Sequence, residues 1–338
     1  MLSSVRTAVI GMGVLGNVYA ETYRSSPNAD LVVACDLDPG RAKAAGERHG
    51  CRYTTDINEI AADGTIDLVA VATPDFAHRD ACVAMLRAGK HVMVEKPLAT
   101  TLGDAQAITD AAKESGVRLM VDFQNRWNPL FIQAKQLIDA GELGDPVMAY
   151  ARLSNTRSLP TESLSWASKS GPEWFLFPHL LDLLCWLFDQ RPQSVVAYGA
   201  RGILAAQGID VYDAIQAQVR FEKAFATVET SWILPTTWGS GIDFRFDILG
   251  SAGKIDINPS SSGLLLASSE RLSTPGVGGI QHAYGTQFGF FKEPILHFLE
   301  CVRLDRDPII TSEDGIANVR LIEAIRTSLE SGGKEISV

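Results

Sequence analysis

A lysine that closes an apolar strand can hold a hydroxyl group by hydrogen bond. Lys96 is such a residue, following the run His91-Val92-Met93-Val94-Glu95 and preceding Pro97. Beside a nicotinamide, the positive ring and partial burial would lower its pKa toward a range useful for handling a proton. The plainer alternative is a surface lysine that ends a strand. Glu95 also reads two ways, as a partner of the nicotinamide ribose or of a base. A Lys96–Pro97 bond in cis would turn both side chains toward the ligand.

The case for a dinucleotide comes from the N-terminus. The apolar run Ala8-Val9-Ile10 stops at Gly11-Met12-Gly13-Val14-Leu15-Gly16, and a helical pattern follows from Val14 to about Arg24. Free backbone N–H groups and the positive end of a helix dipole would meet a pyrophosphate there. Gly11 allows the turn, Gly13 lets the backbone approach the phosphates, and Gly16 lets the helix pack closely. A second apolar run, Leu31 to Cys35, ends at Asp36, 20 residues beyond Gly16, where a carboxylate grips the adenosine ribose. Asp36 repels a 2′-phosphate and favours NAD over NADP, although Arg41 lies near enough to blur that preference.

These residues require a sheet to place them. Predicted strands near Cys51–Tyr53, Ile66–Thr73, His91–Val94 and Val117–Val121 alternate with helices over Pro39–His49, Phe76–Ala88 and Leu102–Glu114. That alternation argues for an α/β fold with a doubly wound parallel sheet over residues 1–122. Ligands of such sheets lie at the carboxyl ends of the strands, the ends that Gly11, Asp36, Thr73, Lys96 and Asp122 mark. The pattern then changes. After a helix over Pro129–Ala140, the stretch Ala214–Glu222 alternates apolar and polar residues. Phe225–Leu234 and Ile242–Leu249 are strand-like, and Val147–Ser154 and Ser194–Arg201 fit more loosely. Residues 123–338 therefore read as an α+β domain with a large, mostly antiparallel open sheet. A late helix over Ser312–Leu329 is placed to pack back on the first domain, and Ser268–Gly279 reads as a mobile loop.

Composition narrows the partners. Forty acidic against thirty basic residues give a net charge of −10, with no basic block, so nucleic acid is an unexpected partner. No signal pattern or membrane-length apolar run is evident, and a cytoplasmic location is expected. Cys35, Cys51, Cys82, Cys185 and Cys301 are scattered and odd in number. They read as reduced, buried thiols, not as a metal or disulfide set.

Taken together, the glycine loop, Ala72-Thr73-Pro74 with His78, and Ala88-Gly89-Lys90-His91-Val92-Met93-Val94-Glu95-Lys96-Pro97-Leu98 resemble the Gfo/Idh/MocA oxidoreductase family. So do Asn125-Arg126-Trp127-Asn128-Pro129, Gly141-Glu142-Leu143-Gly144 and, near the C-terminus, Glu323-Ala324-Ile325 with Ser328 and Gly332. The resemblance spans nearly the whole chain. It implies a Rossmann domain followed by an open-sheet domain, and NAD(P)-dependent oxidation or reduction of sugars, cyclitols or related polyols. It also implies homodimers or homotetramers that pair through the exposed faces of their large sheets.

The family's second catalytic element is a helix reading Asp-x-x-x-His-x-x-Asp. Here His179 and Asp182 match the histidine and the second aspartate, and Phe175 replaces the first aspartate. That leaves a less polar pocket, with His179 as the main acid/base candidate. Pro178 suggests that the helix starts late or kinks just before the histidine. Asp182, one turn on, reads equally as a site residue or a buried anchor. Arg126, Asn155, Trp166, His282 and Tyr284 are candidate pocket residues, each with an equal structural reading, and His78 is expected to support the cofactor loop.

The leading expectation is hydride transfer between a secondary alcohol and NAD, with Lys96 and His179 on the hydroxyl. Two rivals stay open: a glycoside-cleaving enzyme that oxidises a sugar carbon transiently, and a non-catalytic NAD(H)-binding regulator.

Overall fold

The structure is a computed structural model, and it describes residues 2–261, 263–269, 272–274 and 278–338. The chain divides into two units, residues 1–124 with 279–319, and residues 125–278 with 320–338.

The first unit opens with β1 (Val5–Ile10), α1 (Val14–Ser25), β2 (Ala29–Cys35), α2 (Pro39–His49), β3 (Arg52–Thr54), α3 (Ile57–Ala62) and β4 (Leu68–Val71). It continues through a 3₁₀ turn (Asp75–Ala77) into α4 (His78–Arg87), β5 (His91–Glu95), α5 (Leu102–Ser115) and β6 (Leu119–Asp122). The sheet order is β3-β2-β1-β4-β5-β6, parallel at every pairing. Every residue of β4 and β6 is buried, as strands covered on both faces require. Helix limits follow local chemistry. The Asp38 carboxylate caps α2 by accepting from Gly40 and Arg41, and Gly50 closes that helix at positive φ. The predicted helix at Phe76 starts two residues later, because the 3₁₀ turn takes the first residues after Pro74.

In the second unit α6 (Pro129–Asp139) leads to β7 (Pro146–Thr156), then to α7 (Pro172–Phe175), α8 (Phe177–Phe188), β8 (Pro192–Ala200), β9 (Ala214–Phe221), β10 (Phe225–Leu234), β11 (Ile242–Gly250) and β12 (Lys254–Ile257). The sheet order is β12-β11-β7-β10-β9-β8-β17, where β17 is Ile336–Ser337. Its pairings are antiparallel except β7 with β10, which run parallel, so the open sheet is mixed. Inward residues alternate along each strand: Ala149, Ala151 and Leu153 on β7, and Ala226, Val228 and Trp232 on β10. The apolar α8 lies on that inner face, and the Phe131 ring of α6 meets Phe244 and Phe246 at 5.5 and 5.2 Å.

Residues 279–319, read from the sequence as part of the second domain, fall in the first unit. They include the hairpin β15 (Gln281–Ala283) and β16 (Thr286–Phe288), then α9 (Lys292–Leu304) and the start of α10 (Ser312–Glu330). The physical reason is α9, whose Ile295, Phe298, Leu299 and Val302 form one apolar stripe, buried in a helix that packs on α1, β1, β5 and β6. Part of the expected loop at Ser268–Gly279 lies outside the described residues. Its described portion contains β14 (Leu272–Ser273), paired with β13 (Leu266–Ala267). Among the described residues no helix is long and apolar enough to cross a membrane.

Candidate active site

In the first unit the loop after β1 is shaped by two close backbone approaches. Gly11 has φ +92°, and a Cβ there would sit 2.6 Å from the Ala72 carbonyl oxygen. A Cβ at Gly16 would overlap the carbonyl of Gly11. Gly13, in contrast, has open space where its Cβ would be, and no side chain caps the N-terminus of α1. The first-turn N–H groups are therefore available to an anion. Asp36 is tied to this loop: one carboxylate oxygen accepts from the Met12 N–H at 2.8 Å. The other accepts from Asp38 N–H and from the Arg41 guanidinium at 3.2 Å. Val14 is exposed at the head of α1, and Met12 is buried beneath the loop.

At the neighbouring strand ends, the Thr73 hydroxyl and Glu95 Oε2 are buried without a hydrogen-bond partner. Lys96 is buried and its bond to Pro97 is cis. Burial lowers the pKa of its amine, against the opposing pull of Glu95, Asp75 and Asp122. His78 braces the two loops, with Nδ1 2.8 Å from the Pro97 carbonyl and Nε2 3.0 Å from that of Thr73. Burial also lowers the His78 pKa. The open space over Gly13, the Asp36 carboxylate and the two unpartnered oxygens suit the phosphates and ribose hydroxyls of a dinucleotide.

The second unit carries the histidine. Short helix α7 ends at Phe175, and α8 begins at Phe177 with Pro178 in its first turn, where proline's missing N–H costs nothing. His179 thus stands in the first turn of α8, half-exposed, and Phe175 belongs to the preceding turn. The Asn125 amide nitrogen lies 3.2 Å from His179 Nδ1. Donating there, it leaves the neutral ring's proton on Nε2. Turned over, its oxygen would accept from Nδ1–H and free Nε2 as a base. Asp182 is committed elsewhere, because Arg126 grips both of its oxygens, at 3.0 and 2.6 Å, in a buried pair. The Arg126 side chain also lies over the Trp186 ring at 5.9 Å. The aromatic that replaces the family's aspartate is part of a cluster: the Phe175 ring is 6.1 Å from Trp166 and 5.7 Å from Trp232.

Glu173 is buried, its Oε1 3.9 Å from Arg326. Asn155 is half-buried on β7, with an Oδ1 that finds no partner. His282 and Tyr284 belong to the first unit. They stand on the exposed hairpin β15–β16, with Tyr284 99% exposed. Three residues escaped sequence reasoning as site groups. Asn125 was read only as part of a motif. Trp232 has a buried Nε1–H without a partner. Tyr19, on the inner face of α1, has its hydroxyl oxygen within hydrogen-bond distance of two buried carboxyls. The one available signal was Asp122, an acid within an otherwise apolar strand.

A parallel sheet with a glycine loop, an acid just beyond β2 and a buried amine just beyond β5 has the layout of a nicotinamide dinucleotide-dependent oxidoreductase. Residues 5–123 match the model of the oxidoreductase family with an NAD-binding Rossmann fold, and residues 131–256 match the GFO/IDH/MocA C-terminal domain. The scyllo-inositol 2-dehydrogenase (NAD(+)) of Bacillus subtilis (strain 168) is 29% identical over 339 residues, 98% of this chain and 96% of its own. An inositol 2-dehydrogenase of Acidothermus cellulolyticus is 31% identical over 255 residues, 75% and 72% of the two chains. The solved structure of myo-inositol 2-dehydrogenase from Lactobacillus plantarum shares the fold, with a TM-score of 0.86 at 20% identity and 99% of each chain covered. The chain belongs to the Gfo/Idh/MocA oxidoreductase family. Its cofactor is NAD.

Proposed function

We propose that this protein is an NAD-dependent dehydrogenase that oxidises a secondary hydroxyl of a cyclitol or a related polyol. The observation that carries the reading is the buried Lys96 amine at the carboxyl end of β5, in the unit that bears the dinucleotide loop. NAD, when bound, supplies the hydride acceptor. Lys96 donates a hydrogen bond to the substrate hydroxyl oxygen and orients it. His179 takes the hydroxyl proton in oxidation and returns it in reduction, and the Asn125 amide supports whichever tautomer each direction needs. Thr73 and Glu95 offer their unpartnered oxygens to the nicotinamide ribose, and His78 fixes the loops that carry Thr73 and Pro97. Asp182 acts as an anchor through Arg126. Trp166, Phe175 and Trp232 give the substrate side an apolar wall suited to the C–H face of a ring.

The inositol dehydrogenases among its relatives support a cyclitol as substrate. Five free thiols suit a reducing compartment such as the cytoplasm. Subunits pair through the outer face of the seven-stranded sheet. The test is a panel of inositols, sugars and aldonates with NAD and with NADP, read at the reduced-nicotinamide absorbance. Turnover of a cyclitol with NAD is expected. Cleavage of a glycoside without net NADH would replace the reading with the transient-oxidation alternative. Lys96→Ala should abolish turnover while NAD binding stays within a few fold, and a fully active variant would refute the assignment.

A further inference from the structure

Three buried groups of the first unit meet behind Lys96. Glu95 and Asp122 are register partners at the ends of the adjacent parallel strands β5 and β6. The Tyr19 hydroxyl oxygen lies 2.6 Å from Asp122 Oδ2 and 3.2 Å from Glu95 Oε1. Glu95 Oε2 and Asp122 Oδ1 are buried without partners. A phenol has one hydrogen, so it donates to only one of the two carboxyls. If both were ionised, the second would press its charge against the phenol's lone pairs, and two like charges would share a site closed to water. A second proton removes both conflicts.

We propose that Tyr19, Glu95 and Asp122 form a proton-sharing carboxyl pair, in which Asp122 is the positioning residue that keeps the extra proton and so sets the negative charge facing the Lys96 amine. The inference rests on the reading of Lys96 as the amine that holds the substrate hydroxyl. With the proton in place the pair carries one negative charge and balances one ammonium. When the proton leaves at higher pH, the pair doubles its charge and holds Lys96 in its ammonium form further into the alkaline range.

The titratable groups around the pair come from several elements. Tyr19 and Tyr23 of α1 and Lys96 beyond β5 act on the two acids, while Asp75 and His78 after β4 act on or respond to Lys96. Helix α9, packed on β5 and β6, buries the apolar Ile295, Phe298, Leu299 and Val302. Burial raises both acids, Glu95 to about 7 and Asp122 well above its ordinary value, in agreement with the geometry.

The first test is infrared spectroscopy of the apoprotein at pH 8. A carboxylic-acid C=O band is expected in the wild type and should be absent from Asp122→Asn. A wild type without the band overturns the proposal, whatever the role of Lys96. The second test is the pH profile of kcat/KM. Asp122→Asn should move the alkaline limb down by a pH unit or more, because the altered pair cannot gain its second charge. A purely structural role would lower kcat/KM by one factor at every pH, and an unmoved limb in the folded variant overturns the proposal. Should Asp122→Asn fail to fold, Tyr19→Phe replaces it: the wild-type C=O band must shift when the bridging hydroxyl is removed, and an unshifted band overturns the proposal. If Lys96→Ala proves fully active while the band behaves as expected, the reading of Lys96 fails and the pair stands.

Discussion

At the scale of single residues, the site is defined by what surrounds each polar group. Lys96 is buried among three acids, which keep its charge affordable where water is excluded. His179 is half-exposed and meets the Asn125 amide at Nδ1, so its ring is oriented and still open to solvent in part, the arrangement a proton-transfer group needs. His179→Ala is expected to lower kcat by about 10²–10⁴-fold, the usual worth of a general acid or base, with NAD affinity retained. Steady-state kinetics beside a direct NAD titration checks it, and an equal loss in both would point to a collapsed fold. Asp182 illustrates the opposite outcome. The family pattern marks its position, yet Arg126 occupies both oxygens, which removes it as a base.

At the scale of elements, two contacts decide whether those residues are in place. Helix α1 approaches the β1 loop so closely that Gly16 admits no Cβ. Gly16→Ala should therefore abolish NAD binding, measured by quenching of protein fluorescence, with secondary structure retained in circular dichroism. The Arg126–Asp182 pair joins the turn that carries Asn125 to the helix that carries His179. Both side chains are buried, so Arg126→Ala removes a two-pronged ion pair from the interior and is expected to cost about 3–5 kcal/mol of stability. A denaturant melt measures that loss, and a cost under about 1 kcal/mol would mean that water reaches Asp182.

At the scale of the whole molecule, the seven-stranded sheet packs α8 on its inner face and carries exposed apolar residues on its outer one. On the outer face Phe225, Met148 and Leu249 are register neighbours on β10, β7 and β11, and all three are exposed. An apolar row across three strands is the kind of surface that self-association buries. If the proposed pairing of subunits uses this row, Phe225→Glu should yield monomers in sedimentation velocity where the wild type sediments as an oligomer, without altering the thermal melt of the monomer. A variant that sediments as the wild type does would move the interface elsewhere.

The sequence by itself determined what depends on neighbours along the chain. Glycine spacing specified the loop, alternating and continuous apolar runs specified the strands, and Pro178 marked the late start of α8, because backbone sterics and side-chain period are local properties. The same reasoning located Lys96 and Asp36 at strand ends. Only the tertiary structure decided partners. Tyr19 meets acids 76 and 103 residues away, Arg126 finds Asp182 across 56, and Phe175 meets Trp232 edge to face in an aromatic cluster. It also returned residues 279–319 to the first unit, through an apolar stripe on α9 whose burial the chain pattern does not address. A side chain's charge state and its choice of partner follow from distance and exclusion of water, and both are set when distant segments pack.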